Sequence, residues 1–237
     1  ADLSIAREKA SGVTDELLVA DQSMGGMIDA LSRLREIAVQ MSNDIMTPEA
    51  RLNAVVEVND IRDTVIRLGN AHFADKHIFG GQQIGGDPFD AAGNYLGDAN
   101  SLDVQIDNGL VIESTLSGGD LLRGASGGPD ILQEIDNMAT ALGTNFTAGI
   151  NASMDSMDSS INHISNFRAQ VGSRMRVAEQ FDVHLSDIEV SVVKDLSDIE
   201  DADILSAFSE LQRSQQSYES AMQISVASRT RNIFELI

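Results

Sequence analysis

Cysteine and tryptophan are absent from the 237 residues, and proline occurs only three times. Without cysteine there is no disulfide, no thiol nucleophile and no thiolate metal site. Aromatic residues are 4% of the chain, so a core must come from Leu, Ile, Val, Met and Ala, which suit narrow helix–helix seams. Basic residues are scarce too: 16 Lys and Arg face 37 Asp and Glu, a formal charge of −21. A nucleic-acid binder needs a basic stripe to neutralise phosphates, and an anionic membrane attracts basic segments, so the charge argues against both. No uncharged apolar run approaches the roughly 18 residues of a membrane span. The chain opens Ala1-Asp2-Leu3 with neither an initiator Met nor a secretory signal peptide, which reads as a trimmed fragment.

What glycine there is maps the organisation. Twelve of the 19 glycines lie between Gly80 and Gly128, and the flanks are glycine-poor. The layout is a discontinuous helical rod domain, 1–79 and 129–237, carrying a small β-rich insert domain at 80–128. In the first flank, one heptad phase reads Leu3, Ala10, Leu17, Met24, Leu31, Ala38 and Ile45, all apolar. Three residues on, the companion phase reads Ala6, Val13, Ala20, Met27, Leu34 and Met41. A period near 3.5 buries one stripe against a partner helix, so the pattern predicts a helix from Leu3 to Ile45. Gly25-Gly26 marks either a bend or a close helix–helix approach. Thr47-Pro48-Glu49 is a helix start, with a capping hydroxyl, a proline suited to the first turn and an acid at the positive end of the dipole. Leu52, Val55, Val58, Ile61, Val65 and Leu68 form the next apolar face, and Gly69-Asn70 is the stop. Two long helices with a short connection lie antiparallel.

In the insert the period changes to two. Leu102, Val104 and Ile106 alternate with Asp103, Gln105 and Asp107, and Asp107-Asn108-Gly109 is a turn signal before Leu110-Val111-Ile112, a hairpin signature. Ser117 to Gly128 reads as loop. Contacts local to the insert are expected, leaving the flanks' core independent of it. Gly128-Pro129-Asp130 restarts a helix with Ile131, Leu132, Ile135, Met138 and Leu142 on one face. A long helix then carries Ile150, Met154, Met157, Ile161 and Ile164, with a stutter expected at Arg168 before Val171, Met175, Ala178, Phe181, Leu185, Ile188 and Val192. Ser197-Asp198-Ile199-Glu200 has capping-box spacing and predicts the start of a last helix. That helix has Ile204, Phe208, Leu211, Gln215, Tyr218, Met222 and Ser225 on one seam. The seam turns polar after Met222, as a stripe awaiting a partner does.

No catalytic, cofactor or metal constellation emerges. His72 and His77 are five apart and do not share a helix face, while His163 and His184 sit six turns apart on one predicted helix. Asp195, Asp198, Glu200, Asp201 and Asp203 lack the glycine and the late glutamate of a calcium loop, and read as carboxylates at a helix N-terminus. Gly80-Gly81 and Gly85-Gly86 lack the Gly-Lys-Ser/Thr of a phosphate loop. An enzyme is therefore not expected.

The residues do resemble a family. Leu31-Ser32-Arg33-Leu34-Arg35-Glu36-Ile37-Ala38-Val39-Gln40, with Arg62, Leu68, Gly69 and Asn70, resembles the N-terminal helical region of bacterial flagellins and their relatives. Phe167 to Arg174, Ser197 to Asp203 and Leu211 to Gln216 resemble the C-terminal helical region of that superfamily. Ile78-Phe79-Gly80-Gly81, Pro88-Phe89 and Tyr95-Leu96-Gly97-Asp98 before a short hairpin are similar to its hook-associated branch. The resemblance implies a mainly α, flagellin-like antiparallel bundle, and a structural subunit at the junction between hook and filament. It also implies export through the flagellar type III channel without a cleaved signal, to an extracellular place in the flagellum. The implied partners are hook-associated protein 1, flagellin and the filament cap protein, plus copies of itself. It implies no cofactor. The terminal segment Asn232 to Ile237 resembles the family's own, whereas the N-terminal segment expected of a complete member is missing. Best placed for neighbours are Met222 to Ile237 and the turn from Ala1 to Arg7. Two other readings stay open on the residues: a filament flagellin, and an unrelated coiled-coil regulator or adhesin whose insert binds a ligand.

Overall fold

Most of both heptad rows of the first flank is buried in a computed structural model of the chain, which describes residues 2–83, 85–107 and 109–234. Helix α1 (Asp2–Met41) is followed by α2 (Pro48–Gly69), the strand pairs β1 (His72–Phe73) with β2 (Lys76–His77) and β3 (Asp103–Asp107) with β4 (Leu110–Glu113), then α3 (Gly118–Leu122), α4 (Ile131–Gly143) and α5 (Thr147–Phe234). The mainly α architecture is the expected one. The chain divides into two compact units, Ala1–Leu185 and Ser186–Ile237.

In the first unit, eleven of the thirteen residues expected on the first seam are buried, from Ala6 to Met41. Leu3 is half-buried, and Ile45 is 84% exposed because the helix ends at Met41 rather than at Ile45. Three ion pairs give the direction of α5 against α1. Arg35 meets Asp158 at 2.6 Å, Asp21 takes both Nε and Nη2 of Arg168 at 2.8 Å, and Arg7 meets Asp182 at 3.1 Å. Positions on one helix fall as those on the other rise, so the two are antiparallel.

The expected stutter is not there. Ile150, Met157, Ile164, Val171, Ala178 and Leu185 are all buried, one unbroken row of heptads. Arg168 keeps its place beside that row and leaves the seam only at its tip, where the guanidinium reaches Asp21. Hydrogen bonding to that carboxylate holds the guanidinium pKa above its ordinary value. Room for it comes from Gly25, where a Cβ would stand 3.8 Å from the guanidinium carbon, and Gly26 admits Leu68 of α2 at 3.1 Å. The glycine pair is a close approach on two sides, in an unbroken helix. Ordinary contact at Gly25 means that Gly25→Ala should gain about 1 kcal/mol of helix propensity. Thermal unfolding should then move up by about 2–4 °C; a fall would mean that Arg168 needs the whole space.

The start of α2 is as expected, with the Thr47 hydroxyl accepting from Ala50 N at 3.1 Å. The expected face is inside, with Val58 and Val65 buried and Val55, Ile61 and Leu68 half-buried, except at its first residue. Leu52 is 57% exposed and Arg51 is buried. Arg51 donates to the carbonyls of Met41 at 2.8 Å and Asn43 at 3.1 Å, and to the Asn145 side chain. One guanidinium thus ties the α1–α2 turn to the α4–α5 turn, and Arg51 with Ala54 takes the buried place at the start of α2 that Leu52 was expected to fill. On α4 the expected face, Ile131 to Leu142, is buried, and Asp130 caps it by accepting from Gln133 N at 3.0 Å.

The insert differs most from expectation. Hairpin β3–β4 forms in antiparallel register, Val104 opposite Ile112, although Asn108 of its turn lies outside the described residues. Ser117 to Gly128 is not simply loop: Ser117 caps α3 by accepting from Asp120 N, and Leu121 and Leu122 are fully buried. Glycines there serve close packing. A Cβ on Gly118 would stand 2.7 Å from the Phe89 ring and 2.8 Å from the Phe79 carbonyl oxygen. Nor are the insert's contacts only local. Phe89, Ile106, Ile112, Leu116, Leu121 and Leu122 join one hydrophobic cluster with α1, α2, α4 and α5. Polar ties add to it, Lys9 Nζ to Gln105 O at 3.3 Å and Arg174 to Glu113. The reason is length: α2 and α4 are far shorter than α1, and the hairpin lies where they have ended.

Candidate functional site

The sequence offered four histidines and one acidic run. His72 and His77 meet across the β1–β2 pair, their rings 6.0 Å apart, which helical spacing could not reveal. His77 is also 3.8 Å from Asp87. His163 lies at 3.0 Å from the Asp120 carbonyl oxygen and edge-on to Phe167, clamping the Gly128 backbone against α5. His184 is exposed, beside Phe181. Among the described residues no three His, Asp or Glu side chains converge as metal ligands.

The acidic run is not at a helix N-terminus. Helix α5 continues through Ser197, so the expected last helix does not begin there, and Asp195, Asp198, Glu200 and Asp203 are exposed along its interior. Gly172 is the last glycine and Pro129 the last proline, so nothing near Ser197 interrupts the backbone. The Asp201 side chain lies outside the described ones. A hollow of about 670 Å³ borders Ile66, Asn70, Pro88, Phe89 and Asp90. Its polar groups already hold the insert's own loops. Asn70 bonds both N and O of Phe89, and Asp90 bonds Asn94, which keeps the Asp90 carboxyl below its ordinary pKa.

Apolar surface is the remaining feature. In the second unit the predicted seam residues Ile204, Phe208, Leu211, Tyr218 and Met222 are between 53% and 68% exposed. Ile224 and Val226 continue them, while the side chains from Ser228 to Ile237 lie outside the described residues. Such a run of exposed apolar residues on one helix marks an interaction surface. At the N-terminus Ile5 is exposed, but Ala6 is buried and Arg7 is paired with Asp182, so this turn is partly engaged already; Ala1 lies outside the described residues.

A family model described as the bacterial flagellin C-terminal helical region matches residues 154–237, which include the exposed stretch. Flagellar hook-associated protein 3 of Escherichia coli (strain K12) is 22% identical over 216 residues, 80% of this chain and 67% of that protein. The crystal structure of Bacillus cereus FlgL superposes with a TM-score of 0.71 at 21% identity, over 81% of this chain and 93% of that one. The flagellar junction protein FlgL from Legionella pneumophila does so with a TM-score of 0.66 at 13% identity, over 81% and 94%. The chain is similar in sequence to flagellar hook-associated protein 3 and has the fold of the FlgL structures, and its C-terminal part resembles the flagellin C-terminal helical region.

Proposed function

We propose that the chain is a structural subunit of the bacterial flagellum, acting at the junction between hook and filament. The observation that carries this reading is the change along α5. Its heptad row is buried up to Leu185, and the apolar residues that follow are exposed in the stretch that matches the flagellin region. A subunit that contributes one helix to a shared seam in an assembly has this appearance, because its stripe is completed only by neighbours. The homologues are structural flagellar proteins, and the work here is mechanical: the paired α1 and α5 supply stiffness, and the exposed stretch supplies attachment. By the same resemblance the neighbours are hook-associated protein 1 on the hook side, flagellin and the cap protein on the filament side, and further copies of the chain. Export proceeds through the flagellar type III channel.

Deleting the gene in its native cell tests this. Hooks should persist without filaments, with flagellin released to the medium, and the full-length protein should restore swimming. Filaments of normal length on the deletion cells would overturn the junction role.

A further inference from the structure

Nearly every Lys and Arg of the first unit is tied to a carboxylate or a carbonyl of its own chain, which leaves an acidic outer surface. The face of α5 opposite β4 departs from this at Arg176 and at one nitrogen of Arg174. There a groove of about 300 Å³ is lined by Val111, Ile112, Glu113, Ser173, Arg174 and Val177. Val111 is 55% and Val177 41% exposed. Arg174 is held by Glu113, yet its Nη1 is buried with no hydrogen-bond partner. Arg176 shares the Ser173 face of the helix and is exposed, with no ion-pair partner among the described residues. This is an apolar slot with spare guanidinium donors.

The complement lies at the other end of the same unit, about 40 Å away along α5 at 1.5 Å per residue. On the α1–α2 turn Ile45 is 84% exposed between the exposed acids Asp44 and Glu49. The turn is fixed from beneath, by Arg51 on the Met41 and Asn43 carbonyls, and by the Asn43 side chain accepting from Ile45 N at 3.1 Å. It is an apolar knob flanked by carboxylates and held ready.

We propose that the β4–α5 groove receives the Asp44–Ile45 turn of a second copy of this chain. Ile45 enters between Val111 and Val177, and the Asp44 carboxylate accepts from the guanidinium of Arg176. Unlike surfaces meet, so the contact is heterologous, and it closes into a ring where the rotation between copies allows. Only a few side chains take part, far fewer than the 20–30 residues a side of a stable pair, so single copies stay apart in dilute solution. In an assembly several weak contacts act together. The proposal rests on the assembly reading above for its setting, and a test on purified protein separates the two.

The absence of cysteine makes that test direct. Ile45→Cys and Val177→Cys, carried on two differently tagged versions of the protein, each supply the sole thiol. Both positions are exposed, and circular dichroism checks the helicity of each variant. After mild oxidation of the mixture, crosslinks between the two versions should exceed either self-crosslink severalfold. Arg176→Glu in the Val177→Cys version should lower that yield severalfold, and Asp44→Arg in the other version should restore it. Equal yields of all three products, or a yield unmoved by Arg176→Glu, overturn the contact. A preserved crosslink with intact filaments on the deletion cells would instead overturn the junction reading alone.

Discussion

Leu34→Asp should abolish cooperative unfolding of the first unit, whereas Arg33→Asp, one residue away, should lower the melting temperature only slightly. Leu34 is fully buried in the companion row of α1. Removing a buried leucine costs about 2–5 kcal/mol on its own. A carboxylate in the same place adds the penalty for burying an unpaired charge. Together these rival the whole stability of a domain, about 5–15 kcal/mol. Arg33 points the other way, its side chain 51% exposed, bonded to Glu36 and Glu57. Its replacement loses two exposed ion pairs and gathers three acids, a modest effect that salt screens. Thermal melts followed by circular dichroism decide the matter. Equal losses from the two variants would show that the heptad register is wrong.

Replacing Gly81 to Gly127 with a short Gly/Ser linker should strip the first unit of much of its stability. This reverses what the sequence suggests. Closing the shorter loop costs little, since the entropic term grows only with the logarithm of length. The loss lies in packing. Phe89 and Leu122 press on Gly69 of α2, where a Cβ would stand 2.9 and 3.1 Å from them, and the cap of Asn70 holds the Phe89 backbone. Leu116, Leu121, Ile106 and Ile112 are also buried. Each large apolar side chain taken from the core forfeits roughly 1.5–3 kcal/mol of burial. Helicity of the shortened protein should fall and its melt should broaden. A sharp melt at the parent temperature would mean that the helical flanks form their core without the insert, and that residues 80–128 are a separable domain after all.

The contrast between these two variants shows where the sequence is legible. The rows on α1 repeat strictly for six turns or more, because two neighbours press on that helix along its length, and the pattern records both. Leu52 misleads because the buried place at the start of α2 goes to Arg51, whose burial is worthwhile only once three acceptors from two turns, one of them 94 residues away, converge on it. Nothing local announces that. Ser197-Asp198-Ile199-Glu200 has the spacing of a helix start, but a capping box acts only where the backbone has already left the helix, and no breaker makes it do so. Glycines in the 117–128 stretch suggested looseness, whereas Gly118 and Gly119 are small so that the Phe89 and Tyr95 rings can lie against the backbone. Long-range packing chose those residues, and local pattern cannot separate the two uses of glycine. Of the surfaces, the stripe from Ile204 to Met222 was visible as a seam, and its exposure only in three dimensions. The groove beside β4 depends on Glu113 and Arg174, 61 residues apart, and no spacing rule joins them.

Where the protein sits on the flagellum tests the central claim most directly. An epitope inserted at Gly85-Gly86, an exposed turn of the insert, should leave the core untouched, since neither glycine has an atom within 4 Å of where a Cβ would stand. Antibody-gold labelling of flagella from cells whose own copy carries the epitope should then be viewed by electron microscopy. The account predicts a single narrow band of gold where hook meets filament. Gold spread along the whole filament, or gold on no part of a normally assembled flagellum, would contradict it.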